Sequence, residues 1–122
     1  MKVLVCGGRN YRDYVSLRDM VDRFSPTWII NGGARGADTL ASQYADEKGI
    51  PCAVVRAPWS THGPSAGPVR NRWMLDLEPD WVIAFPGGRG TADMIRAARE
   101  KKIPVTDLSP SALPDPQEEG KT

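Results

Sequence analysis

Short apolar runs alternate with amphipathic helical patterns along most of the chain, and this alternation restricts the fold class more than any other feature. The runs are Val3–Cys6, Trp28–Ile30, Cys52–Val55, Trp81–Phe85 and Ile103–Leu108. Near-continuous apolar strands of this length suit a parallel sheet covered on both faces. Between them, helical spacing recurs at Leu17, Met20, Val21 and Phe24, at Ala37, Leu40, Ala41, Tyr44 and Ala45, at Val69, Trp73, Met74 and Leu77, and at Met94, Ile95 and Ala98. Pro26 stops the first helix, and Gly49 with Pro51 closes the second. The stretch Ala57–Pro68 holds three prolines and two glycines and reads as a loop.

A β-α unit used four times and closed by a fifth strand, with right-handed crossovers, predicts an α/β, Rossmann-like three-layer sandwich. Its five-stranded parallel sheet should have the order 3-2-1-4-5. The 122 residues suit a single domain, expected over residues 1–108. Residues 109–122 hold three prolines and three acids with little apolar content, which predicts a mobile tail.

Lys and Arg exceed Asp and Glu by 16 to 15. So balanced a charge argues against duplex nucleic acid as a partner. No run is long enough to span a bilayer, and the N-terminus lacks signal-peptide character. Two cysteines and one histidine do not make a usual structural zinc site, so neither metal nor cofactor is expected. A reducing cytoplasm with free thiols follows. With the expected strand order, Cys6 and Cys52 lie two strand steps apart, about 9–10 Å, beyond disulfide reach.

Three of the first four strands end in a glycine pair, within CGGRN (Cys6–Asn10), NGGARGAD (Asn31–Asp38) and FPGGRGTAD (Phe85–Asp93). A single such pair is an ordinary tight turn. Three on one edge of a sheet point to a ligand approached closely by backbone, and the last two lead into helix N-termini that attract anions. The candidate ligand-binding residues are Gly7, Gly8, Arg9 and Asn10, then Gly32, Gly33, Ala34, Arg35, Gly36 and Asp38, then Pro86, Gly87, Gly88, Arg89, Gly90 and Thr91. Neither a Walker A lysine motif nor a full GxGxxG follows the first strand, which disfavours a P-loop nucleotidase or an ordinary dehydrogenase.

Arg9, Arg35, Arg56 and Arg89 each follow one of the first four strands, and Arg70 and Arg72 are expected at the start of the third helix. Guanidinium forks suit phosphate. The alternative is solvated rim charge paired with Asp13, Asp38 and Asp93. Trp59 could stack on a base or merely anchor its loop, and His62 has no companion for a catalytic triad. Trp28, Trp73 and Trp81 are expected in the core.

NGGARGAD and PGGRGTAD together resemble the YspA, cpYpsA-related branch of the SLOG superfamily, and the resemblance covers roughly residues 1–108. It implies a Rossmann-like fold, a nucleotide or nucleotide-derived ligand, and a homodimer. The related Lonely Guy phosphoribohydrolases place a catalytic carboxylate shortly after PGGxGT and an arginine four residues before a methionine. Asp93 and Arg70, the latter with Met74, are the corresponding catalytic candidates, with Asp in place of Glu and Asn71 where lysine is usual. DprA proteins, which bind single-stranded DNA, have a segment similar to NGGARGAD followed by a histidine that is absent here.

Asp93 could stabilise an oxocarbenium-like sugar or activate water during N-glycoside cleavage, or simply complement a helix dipole. Asp38 could accept from ribose hydroxyls or play the same dipole role, and Thr91 could cap its helix or touch phosphate. Three functions remain open at this point: a nucleotide N-glycosidase, a non-catalytic sensor or binder of a nucleotide signal, and a single-stranded DNA module. Near-neutral charge and the missing histidine count against the third.

Overall fold

The computed structural model describes residues 1–108; the expected tail lies outside the described residues. The elements are β1 (Lys2–Cys6), α1 (Tyr14–Asp22), β2 (Trp28–Asn31), α2 (Ala37–Lys48), β3 (Cys52–Val54), α3 (Trp59–His62), a 3-10 turn (Gly63–Ser65), α4 (Ala66–Leu75), β4 (Trp81–Ala84), α5 (Arg89–Glu100) and β5 (Val105–Asp107). They form one five-stranded sheet in the order β3-β2-β1-β4-β5. Every pairing is parallel: Val3 lies opposite Ile29 and Trp81, Ile30 opposite Ala53, and Ile83 opposite Thr106.

Strand alternation splits the core into two layers. Val3 and Val5 of β1 point to one face, where Leu17 and Val21 of α1 and Ala41 and Tyr44 of α2 cover them. Leu4 and Cys6 point to the other, under Met74 and Leu75 of α4 and Met94 and Ala98 of α5. Asp13 caps α1 by accepting from the Ser16 N–H (3.0 Å) and hydroxyl (2.7 Å). The buried Tyr44 donates its hydroxyl to Asp22 at 2.6 Å, tying α2 to α1.

Two expectations need correction. The Pro/Gly stretch after β3 is largely helical: it forms α3, the 3-10 turn and the first turn of α4. Pro68 is accommodated because a first-turn residue has no intrahelical N–H bond to lose. Arg70 and Arg72 therefore sit inside α4 rather than at its start. Trp28 and Trp73 are exposed, each at 43%. Trp28 opens β2 at the sheet's lower edge, and Trp73 points away from the sheet, with the His62 ring edge-on at 6.4 Å. Trp81 is half-buried and donates its indole N–H to the Thr106 hydroxyl at 2.9 Å.

Candidate functional site

The C-terminal ends of β1 to β4 open into one cleft of about 730 Å³. Its walls include Gly7, Gly8 and Arg9 after β1, Gly32, Gly33, Ala34, Arg35 and Asp38 after β2, and Gly88, Arg89, Gly90 and Thr91 after β4. Arg70 comes in from α4, and Arg56 and Trp59 from the segment after β3. Asn10, Gly36, Pro86, Gly87 and Asp93 are not among the lining residues.

The glycine turns divide into two kinds. The turns after β1 and β4 pack backbone on backbone: Gly8 N–H donates to the Pro86 carbonyl at 2.8 Å. A Cβ on Gly7 would lie 2.7 Å from Ala37 Cβ, and one on Gly8 would lie 2.8 Å from the Pro86 oxygen. Gly36, at φ +78°, lies against the backbone of Gly8 and Arg9. These glycines hold loops together. Gly88 and Gly90 differ, because a Cβ at either would meet nothing within 4 Å. Both border open cleft.

The two helix N-termini differ in the same way. At α2, Ala37 N–H donates to the Gly8 carbonyl (3.1 Å), and the Ala34 N–H just before the helix is taken by the Asp38 carboxylate (3.1 Å). At α5, the first intrahelical bond runs from Ala92 N–H to the Gly88 carbonyl. The N–H groups of Arg89, Gly90 and Thr91 thus have no partner within the helix. Thr91 is 6% exposed.

Arg9, Arg35, Arg56, Arg70 and Arg89 all line the cleft, with Asp38 as the one carboxylate among the lining residues. No ion pair among the described residues engages these five arginines. Arg56 donates to the Gly33 carbonyl at 3.1 Å, and Arg70 to the Gly32 carbonyl at 2.7 Å. Of the pairing considered for the rim arginines with Asp13, Asp38 and Asp93, the fold builds Arg72 with Asp93 at 2.6 Å and leaves the five cleft arginines out of it. Burial pushes the Asp38 carboxyl above its ordinary range, although the Ala34 N–H, the Arg70 guanidinium and the Gly32 N–H pull it down. Burial also pushes the Cys6 thiol far up, with Asp38 and Asp107 adding to it, so this thiol stays protonated. Cys6 and Cys52 are both free, on strands separated by β2.

Asp93 faces α4 rather than the cleft. Arg72 reaches Oδ2 at 2.6 Å, Asn71 reaches the same oxygen at 2.9 Å, and Arg96 reaches Oδ1 at 2.7 Å. Burial alone would raise this carboxyl, but the Asn71 hydrogen bond and the two guanidinium groups outweigh it and hold it below the usual carboxylate value.

Two asparagines absent from the sequence-based candidates organise the site. Asn71 accepts from Arg70 Nε (3.2 Å) and donates to the Gly90 carbonyl (3.2 Å) as well as to Asp93, so it sets Arg70 against the α5 N-terminus. Asn31 is fully buried; it accepts from Gly33 N–H (2.9 Å) and donates to the Ser42 hydroxyl (2.9 Å). The sequence signal for Asn71 was its position directly after Arg70, where the resemblance expects lysine. Asn31 opens the NGGARGAD segment with no signal of its own.

Residues 1–62 match the YspA, cpYpsA-related SLOG family. The chain belongs to this family. A SLOG protein with this sheet order is Rossmann-like, as expected. The Gene 61 protein of Mycobacterium phage D29 is 35% identical, over 88% of this chain and 95% of its own length. Among solved structures, TM1055 superposes with a TM-score of 0.66 at 24% identity, over 85% of this chain and 71% of TM1055. DNA processing protein A (DprA) from Streptococcus pneumoniae superposes with a TM-score of 0.74 at 21% identity. That match covers 92% of this chain and 51% of DprA, so the SLOG chain spans about half the length of that neighbour. At these identities the two structures share the fold. Among the described residues no helix is long and apolar enough to cross a membrane.

Proposed function

We propose that this SLOG protein binds an anionic nucleotide or nucleotide-derived ligand in the cleft, with phosphate at the N-terminus of α5 and the base toward Trp59. The observation that carries the proposal is the charge of one cavity: five arginines and a single carboxylate line it. The unpartnered N–H groups of α5 open beside Arg89 and Arg70, an arrangement suited to phosphate. The 56% exposure of Trp59 favours a stacking surface over a loop anchor.

Binding without turnover is the better-supported form of this proposal. Three side chains already occupy the Asp93 oxygens, and this residue does not line the cleft. N-glycoside hydrolysis would have to recruit Asp38, the carboxylate that does line it. Membership in the family also leads us to propose a homodimer, which sedimentation velocity tests.

The functional test is calorimetric titration with nucleoside 5′-monophosphates and the matching nucleosides, with chromatography of the mixture for released base. Arg70→Ala should weaken the monophosphate by roughly 10- to 100-fold, the scale of a charge-assisted hydrogen bond, and leave the nucleoside nearly unchanged. Equal weakening of both would remove Arg70 from phosphate binding. Failure of the wild type to bind any nucleotide or nucleotide-derived compound would sink the proposal.

A further inference from the structure

We propose that Asp38 receives the vicinal 2′- and 3′-hydroxyls of a ribose, so that the cleft selects ribonucleotides over their deoxy counterparts. This assignment rests on the nucleotide reading above and deepens it by stating which part of the ligand each strand end meets.

Asp38 is the lone carboxylate in a wall of five arginines, and it is only 6% exposed. A carboxylate kept out of water needs donors. The protein supplies one hydrogen bond, from Ala34 N–H at 3.1 Å, with the Arg70 guanidinium adding a favourable charge. A carboxylate has about four acceptor positions, so room remains for two donors of a ligand. A phosphate would be repelled there; the edge of a base also carries N–H donors, and it is the order and depth of the site that set the sugar rather than the base against Asp38. A pair of hydroxyls on adjacent carbons supplies two donors to one carboxylate.

The sheet order agrees with this placement. Going across the strand ends from β4 through β1 and β2 to β3, the cleft presents the open N-terminus of α5, then the Gly7-Gly8 turn, then Asp38, then Arg56 and Trp59. Phosphate, ribose and base follow one another in that order along a nucleotide. From β4 to β2 is two inter-strand steps, roughly 10 Å, which leaves a hydrogen bond at each end and the phosphate-to-diol length between them. Depth points the same way: Asp38 is buried, whereas Trp59 stands at the rim with 56% exposure. The deep acceptor therefore meets the sugar next to the phosphate, and the base lies outward. A carboxylate that only stapled the NGGARGAD loop would not discriminate between sugars.

The test uses the full chain and the four ribonucleoside 5′-monophosphates with their 2′,3′-dideoxy counterparts, titrated calorimetrically. Wild type should bind the dideoxy forms at least about tenfold more weakly, the scale of losing hydrogen bonds to a charged acceptor. Asp38→Asn keeps an oxygen for the Ala34 N–H. It should shrink the ribo preference to about threefold or less while holding affinity for the dideoxy forms. Ribo and dideoxy forms bound within about twofold by wild type would overturn the diol assignment alone. A full ribo preference retained in Asp38→Asn would overturn it too. If wild type binds none of the eight compounds, this assignment is overturned, and the nucleotide reading falls with it once nucleotide-derived compounds fail to bind as well. Should Asp38→Asn fail to fold, the wild-type comparison still decides.

Discussion

Gly36→Ala should damage the fold rather than the ligand site, and the structure sets the scale of the loss. Gly36 precedes α2 at φ +78° and ψ −127°, a conformation that side-chain-bearing residues rarely adopt. Holding alanine there costs about 1–3 kcal/mol. The new Cβ would also lie 2.5 Å from the carbonyl carbon and oxygen of Arg9, and closer still to the Gly8 oxygen. These are backbone atoms that cannot swing aside. Gly8 is pinned on both sides, by its N–H to Pro86 at 2.8 Å and by its carbonyl to Ala37 N–H at 3.1 Å. Overpacking of this kind adds about 1–3 kcal/mol, for a total of about 2–6 kcal/mol. In a domain of this size each kcal/mol moves Tm by about 4–8 °C, so a fall of at least about 8 °C is expected. The assay is thermal unfolding followed by circular dichroism without ligand. A Tm within about 4 °C of wild type would show that the β1 and β2 turns are not locked together as described.

Gly90→Ala should do the reverse: with open space around the Cβ and a better helix former in α5, Tm should hold or rise by the equivalent of about 0.5–1 kcal/mol, while titration shows weaker nucleotide binding. A loss of stability would mean that Gly90 is a packing residue. Asp93→Asn should cost about 1 kcal/mol at neutral pH, after allowing for the exposure of Arg72 and Arg96. Because the folded Asp93 carboxyl is held below its ordinary value of 3.8, its contribution is present above that value and is lost as pH falls through the lowered one. The Tm gap between wild type and Asp93→Asn should accordingly close in acid, and a gap that is constant with pH would refute the ion-pair role. Tyr44→Phe removes the 2.6 Å bond to Asp22 and should cost about 0.5–1.5 kcal/mol in urea unfolding; no change would show that α1 and α2 do not depend on it.

The sequence marked out the layers well because burial and periodicity are local properties. Val3–Cys6 and Trp81–Phe85 read as strands from their apolar runs, and the glycine pairs marked the ends where the cleft opens. Helix α4 was legible only from Val69 onward: prolines and glycines hid its first turn and α3, since local composition does not reveal that a proline falls where no N–H bond is needed. Trp28 and Trp73 misled because a tryptophan at a periodic position looks buried until its neighbours are known.

The alternation of apolar runs with helical patterns, together with the rule of right-handed crossovers, was enough to determine the sheet order and the edge at which ligands meet the chain. Local chemistry also settled that arginines and glycines gather there. Contacts between residues far apart in the chain decided everything else. Gly36 is structural because it meets Gly8 and Arg9, whereas Gly90 borders open space because a Cβ there would meet nothing within 4 Å. Asp93 is bound to Arg72 and Asn71 on α4, about twenty positions earlier in the chain, and Asp38, the other acid of the same motif pair, is left facing the cleft. Two acids in near-identical sequence settings take opposite roles because helix packing chooses their partners, and periodicity carries no information about which side chain will stand across the gap.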